Sequence, residues 1–321
     1  MTAIAAYTGL RSSGQPLLDA NGKVDDAVCE ATARYPMVTL DINSVLLHPE
    51  CALALRERNP DIRILGYHLL THWWLDEAFV PSASDHSFNA KWHEAIKAGG
   101  AFLPDPQPGY EVDWSKPEAT WRFNWLLRDA AKSRLFDGFF FDYCSPLVAW
   151  AGVGDALTDA ERLRVFHRLV ETLRKNAPEG FLLYGNGTGA ERLGLDGVMA
   201  EGFGGSLTSF DKALKLGPGD WLKSEGVFSG NPGMARFTLG TARLTGATAT
   251  YGTSRRGFDG DWWFPEYGIW WGEPLGPMEK SGRCWLRVYE GCTVVVNPTY
   301  EAQVVGSITI GMRDAAFVEA D

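Results

Sequence analysis

The chain has 321 residues, 45% of them hydrophobic and 22% charged, enough to bury the core of one large domain or two smaller ones. Its net charge of −10 argues against phosphate backbones and anionic bilayers, so neither nucleic acid nor membrane is expected as a partner. The five cysteines are widely spaced and form neither a C-x-x-C zinc pattern nor a disulfide framework, and no apolar run approaches the ~18 residues of a membrane span.

The start, Met1 to Tyr7, lacks a basic flank and a long apolar region, so no signal peptide is expected. That leaves a cytoplasmic location, or export by a non-classical or virion-associated route. From there, strand-like and helix-like segments alternate, the pattern of an α/β fold. Pro36-Met-Val-Thr-Leu40-Asp41 is a short apolar run ending in a carboxylate and reads as the first strand. A helix over 50–58 leads to Ile62-Arg-Ile-Leu-Gly-Tyr67-His68, the second. Ala101-Phe-Leu-Pro104-Asp105 reads as a weaker third, because proline removes a ladder donor. A helix over 118–133 leads to the fourth, Leu135 to Asp142, whose Phe139-Phe-Phe141 run suits a strand buried on both faces.

Thr158-Asp-Ala-Glu161 is a capping box, and Leu163, Phe166, Leu169, Val170 and Leu173 follow at helical spacing. Phe181-Leu-Leu-Tyr-Gly185 is the fifth strand, ending at Asn186, and Gly197-Val-Met-Ala200 the sixth, ending at Glu201. A seventh strand is expected from Lys223 to Asn231, a helix over 234–244, and an eighth strand over 247–251. The succession predicts a (β/α)8 TIM barrel over residues 1–282. Three further strands, 284–289, 292–296 and 302–310, predict a C-terminal β extension over 283–321, with Glu290-Gly291 as a hairpin turn.

In such a barrel the C-terminal strand ends carry the chemistry. Those ends here are Asp41, Tyr67, His68, Asp142, Asn186 and Glu201. Two carboxylates on different strands are the minimum for glycoside hydrolysis: one protonates the leaving oxygen, the other attacks the anomeric carbon or activates water. Asp142 and Glu201 are the best pair. The bland alternative is that each caps a turn, and Asn186, between two glycines, could equally be a turn former. Thirteen tryptophans, several in tandem, supply flat indole faces of the kind that stack on sugar rings. The expected substrate contacts are Asp41, Tyr67, His68, Asn186, Trp74, Trp263 and Trp271. His68 and His72 are four apart but not on a helix and lack the H-E-x-x-H glutamate, so no metal is expected; nor is a redox cofactor. No Gly-x-Ser-x-Gly elbow is present.

The motifs around Phe136-Asp-Gly-Phe-Phe-Phe-Asp142-Tyr143, Tyr184-Gly-Asn186, Met199-Ala-Glu201-Gly-Phe203 and Tyr267-Gly-Ile-Trp-Trp271-Gly-Glu273 occur in an order that resembles glycoside hydrolase-like TIM barrels distantly similar to endo-α-1,4-polygalactosaminidases. The tail from Leu286 to Asn297-Pro298 matches as well, although the third-strand motif does not. The resemblance implies that Asp142 is the nucleophile or base, Glu201 the acid, and a poly- or oligosaccharide the substrate. Oligomeric state is open. Two other readings stay open: a non-catalytic carbohydrate-binding or assembly barrel, for example a virion or cell-surface component, and a hydrolase of another sugar-like ester or amide bond.

Overall fold

The computed structural model describes residues 5–7, 17–18, 21–70, 72–73, 102–104, 110–144, 146, 157–187, 189–204, 207–226, 232–253 and 263–319. The chain forms two compact units: one holds residues 9–34 and 38–198, the other 1–8, 35–37 and 199–321.

In the first unit, strands Arg63–Leu69, Gly138–Asp142 and Leu182–Gly185 run side by side and parallel, and the opening residues of Gly197–Ala200 extend the ladder. Gly138–Asp142 is buried along its length down to a half-exposed Asp142. Phe139, Phe140 and Phe141 are successive residues, so they point to alternate faces, and all three are buried, as the apolar run predicts. Gly138 is a packing requirement. A Cβ there would lie 2.4 Å from the Leu182 carbonyl oxygen and 2.8 Å from a Leu65 methyl. Asp137, one residue earlier, pins the opposite end of the strand. Its carboxylate accepts from the Ile64 N–H at 2.8 Å and pairs with Arg56 at 2.9 Å. The two aspartates of one motif thus do different work: Asp137 fixes the strand, and Asp142 ends it.

Helices Pro117–Lys132 and Asp159–Asn176 of this unit pack against each other. The expected capping box forms, with the Thr158 hydroxyl accepting from Glu161 N–H and the Glu161 carboxylate accepting from Thr158 N–H, and it starts helix Asp159–Asn176. Phe166, Leu169, Val170 and Leu173 are its buried stripe. Trp114 tilts against Phe166 at a centroid distance of 5.3 Å.

The expected third strand is one element the structure corrects. Phe102–Pro104 does not join the parallel ladder; Arg63–Leu69 pairs directly with Gly138–Asp142. It pairs antiparallel with Tyr110–Val112, which also pairs with His72–Trp73 in a separate three-stranded sheet. The cause is Pro104. It has no N–H to give a central ladder and is tolerated at the end of a short outer strand.

In the second unit, the end of Gly197–Ala200, then Trp221–Gly226, then Thr248–Thr253 form a parallel ladder. Ala5–Tyr7 lies alongside Thr248–Thr253 and is a strand that the sequence patterns do not single out. Helix Pro232–Thr245 packs onto a four-stranded antiparallel sheet ordered Glu279–Ser281, Cys284–Val288, Cys292–Asn297, Asp314–Glu319. Their approach is close: a Cβ on Gly240 would sit 2.6 Å from that of Ala315 and 3.0 Å from a Val296 methyl. Arg236 locks the same face by a two-pronged bond to Asp314, at 2.9 and 2.6 Å. The Glu290-Gly291 turn forms as expected, with Tyr289 N–H donating to Cys292 O. The expected strand 302–310 is instead a hairpin, Gln303–Val305 with Ile308–Ile310, because Gly306 takes the left-handed conformation at φ 60° and turns the chain.

Candidate functional site

Asp142 ends strand Gly138–Asp142, and the ladder brings two of its expected companions to it. Arg63–Leu69 is in register so that Leu69 lies opposite Asp142, which puts Tyr67 within reach. The Tyr67 hydroxyl donates to Asp142 Oδ2 at 2.7 Å. The Tyr67 ring stacks on Phe140 at 6.2 Å, which fixes its direction. The next strand, Leu182–Gly185, ends at Asn186, whose side-chain amide donates to Asp142 Oδ1 at 2.9 Å. Asn186 is itself held by its backbone: its N–H donates to Phe141 O, and its carbonyl accepts from Cys144 N–H.

A third donor is not visible in the sequence patterns. Tyr143 has φ 50°, a left-handed backbone that a bulky residue seldom adopts, and its N–H donates to Asp142 Oδ1 at 2.9 Å. Strain of this kind gathers at functional sites and is held there by surrounding structure. Three donors aimed at one carboxylate hold both of its oxygens in place. Behind them the Cys144 thiol is pushed well above its usual range, first by burial and then by the nearby Asp142 charge. It is therefore a packing thiol and not a reactive one.

Glu201 follows strand Gly197–Ala200 directly. Its carboxylate meets the Lys223 ammonium at 2.5 Å, with the lysine side chain 3% and the glutamate side chain 28% exposed. Lys223 comes from Trp221–Gly226, where its strand neighbours Trp221, Leu222 and Ser224 are buried. The sequence patterns do not single it out as a site residue. A lysine directly after the buried Trp221-Leu222 pair is the available signal, since a buried charge needs a partner. The Glu201 carbonyl also accepts from the Thr208 hydroxyl at 2.6 Å.

The remaining candidates have varied surroundings. Asp41 closes strand Met37–Asp41 and is half-buried. His68 is buried opposite Phe141 in the ladder. Trp263 is half-buried, edge-on to Tyr35 at 5.5 Å and to Tyr267 at 5.7 Å. Trp271 is 6% exposed; Tyr289 and Phe317 pack against its ring, and the Arg243 guanidinium lies 4.3 Å from the ring centroid. Trp74 lies outside the described residues. Among the described residues no group of three or more His, Cys, Asp or Glu side chains is arranged to hold a metal, and no helix is long and apolar enough to cross a membrane.

A family model described as hypothetical glycosyl hydrolase family 15 matches residues 56–293. No curated protein matches the chain. Among solved structures, the α-amylase of Geobacillus thermoleovorans, crystallised with acarbose, aligns over 99% of this chain and 96% of its own at 12% identity and a TM-score of 0.51. An Anoxybacillus α-amylase aligns over 99% and 97% at 11% identity and a TM-score of 0.52. The family 36 α-galactosidase AgaB of Geobacillus stearothermophilus aligns over 92% of this chain and 46% of its own, at 9% identity and a TM-score of 0.53. At such identities the likeness is one of fold. The fold is α/β, of the (β/α)8 TIM-barrel class.

Proposed function

Since the chain belongs to hypothetical glycosyl hydrolase family 15, we propose that it hydrolyses a glycosidic bond in a poly- or oligosaccharide, with Asp142 and Glu201 as the two working carboxylates. The observation that carries this reading is the convergence of Tyr67, Asn186 and the Tyr143 N–H on Asp142 at the C-terminal end of a parallel strand. Active sites of barrels are built at such strand ends. An aspartate whose only work was structural would resemble Asp137, tied to an arginine and a neighbouring strand's N–H. Asp142 instead closes its strand, with Tyr67, Asn186 and the Tyr143 N–H directed at its oxygens.

In the proposed mechanism Asp142 attacks the anomeric carbon or takes a proton from the attacking water. Tyr67 and Asn186 hold its oxygens in place and stabilise their charge. Glu201 protonates the departing oxygen. Sugar contacts come from Asp41, His68, Trp74 and Trp263, whereas Trp271 is packed under Tyr289, Phe317 and Arg243 and offers no open face. No metal or redox cofactor enters the scheme. We read residues 1–282 as the catalytic barrel and 283–321 as a β element appended to it.

Lys223 bears on the second role. A neighbouring ammonium favours the ionised carboxylate, whereas a general acid must be protonated when the leaving group departs. The acid role therefore carries two signatures. Glu201→Gln should depress turnover about 10²-fold or more on substrates with poor leaving groups and far less on activated aryl glycosides, which need no protonation. Lys223→Met removes the competing cation, so the decline of activity at rising pH should move to higher pH. Equal losses on both substrate classes in Glu201→Gln, with an unmoved pH limb in Lys223→Met, would remove Glu201 from the acid role. The same ion pair is compatible with a binding barrel that does not hydrolyse its ligand. Saccharide binding without release of reducing ends across a broad polysaccharide screen would select that reading.

A further inference from the structure

The tandem pair Trp270-Trp271 divides its work. Trp271 faces inward, whereas Trp270 is 69% exposed, so one of the largest apolar side chains in the protein is left in water. It is not a loose side chain. A Cβ on Gly291 would fall 2.3 Å from the indole Cε3 and 2.6 Å from the Trp270 carbonyl oxygen, so the ring lies directly on glycine backbone. Glu290 is seated in the same way. A Cβ on Gly272 would meet its Oε2 at 2.5 Å, and that oxygen accepts from the Glu273 N–H at 3.0 Å.

Trp270 and Glu290 line one cavity of about 530 Å³, together with Pro265, Ile269 and Glu319. This volume is in the range of ligand sites, and every lining residue belongs to the second unit. None of these residues serves the proposed chemistry. A rigid flat indole beside carboxylate acceptors matches the surface of a sugar ring, which has an apolar C–H face and a rim of hydroxyl donors. Because Trp270 and Glu290 are already fixed, little conformational freedom is lost on binding.

We propose that this cavity is a second saccharide-binding surface, with Trp270 as the stacking platform and Glu290 and Glu319 as hydroxyl acceptors, built from residues other than the two proposed carboxylates and their partners. The proposal takes its ligand class from the glycosidase reading, but its test does not depend on turnover.

The full chain carrying Asp142→Asn, labelled with 5-fluorotryptophan, is titrated with maltohexaose, cellohexaose, xylohexaose and a hexamer of glucosamine, and followed by 19F NMR. The resonance missing from the Trp270→Phe form identifies Trp270. It should shift saturably with at least one neutral hexasaccharide, or with the glucosamine hexamer if the two carboxylates select a cationic ring. Trp270→Ala should weaken binding of that saccharide's parent polymer about tenfold. In the otherwise wild-type chain it should leave hydrolysis of a short aryl glycoside unchanged. A Trp270 resonance indifferent to all four sugars in a folded protein overturns the proposal. So does one that shifts with protein concentration alone, which would mean that a second copy covers the surface. A saturable shift in a protein that hydrolyses nothing keeps this site and removes the catalytic reading.

Discussion

At the scale of single residues, the fate of two aspartates in one strand shows how position decides chemistry. Asp137 and Asp142 bracket Gly138–Phe141; the first is tied to Arg56 and the Ile64 N–H, the second meets Tyr67, Asn186 and the Tyr143 N–H. Tyr67 is the most telling partner, because its hydroxyl is the donor to Asp142 Oδ2. Tyr67→Phe keeps the ring on Phe140 and deletes that bond. A hydrogen bond to a charged group contributes about 1.5–3 kcal/mol to stability, so the melting temperature should fall by a few degrees, and loss of the orienting bond should lower turnover roughly 10- to 100-fold as well. Steady-state kinetics beside a melting curve will separate the two effects. Unchanged turnover would mean that Tyr67 does not tune Asp142. Much of this group was legible beforehand: Asp142 ends its strand and Tyr67 and Asn186 lie within two residues of an end, and strand ends can be read from apolar runs. Tyr143 and Lys223 were not. A left-handed backbone leaves no mark in a tyrosine codon position, and the partner of Lys223 lies 22 residues away.

At the scale of elements, apolar periodicity and capping chemistry predicted well where they are strong. Helix Asp159–Asn176 begins at its capping box, and the Glu290-Gly291 turn joins the strands on either side of it. Local signals failed where partner choice decides. Phe102–Pro104 does form a strand, but its partner is antiparallel. The run 302–310 is β in character, yet Gly306 folds it back on itself. The packing of Pro232–Thr245 against the C-terminal sheet depends on Gly240, which reads in the sequence only as a weak spot in a helix. Gly240→Leu would drive a side chain into Ala315 and Val296. Overpacking of this kind costs about 1–3 kcal/mol, so the denaturation midpoint should fall clearly. Gly→Ala in an exposed helix interior is usually favourable by contrast, so an unchanged or raised midpoint would show that this interface is not closely packed.

At the scale of the whole molecule, all five cysteines are free and buried, and each thiol lies above its usual range, first of all because burial disfavours the thiolate. Cys292 is pushed up to about 11 and Cys51 to about 12. The linkage has a definite sign. The unfolded chain loses these protons near the ordinary thiol value of 9.0, whereas the folded chain keeps them to higher pH. The contribution to stability is intact below pH 9 and is lost as pH rises through the folded values. The melting temperature should therefore decline from pH 9 towards 11, and a disulfide reagent should find five thiols in denaturant and essentially none in the native protein. A native protein that titrates five thiols at pH 8 would contradict the buried cores described for both units.

The central claim, that a glycosidic bond is cleaved with Asp142 at the reacting carbon or its water, is tested most directly by reducing-end release. Wild-type protein and Asp142→Asn are compared on the best substrate from a polysaccharide panel, with saccharide binding measured on the same samples. The substitution keeps the shape of the side chain and removes its charge. Release should fall about 10²-fold or more on both activated and unactivated substrates, while binding changes little. Undiminished release by a folded Asp142→Asn protein would contradict the assignment.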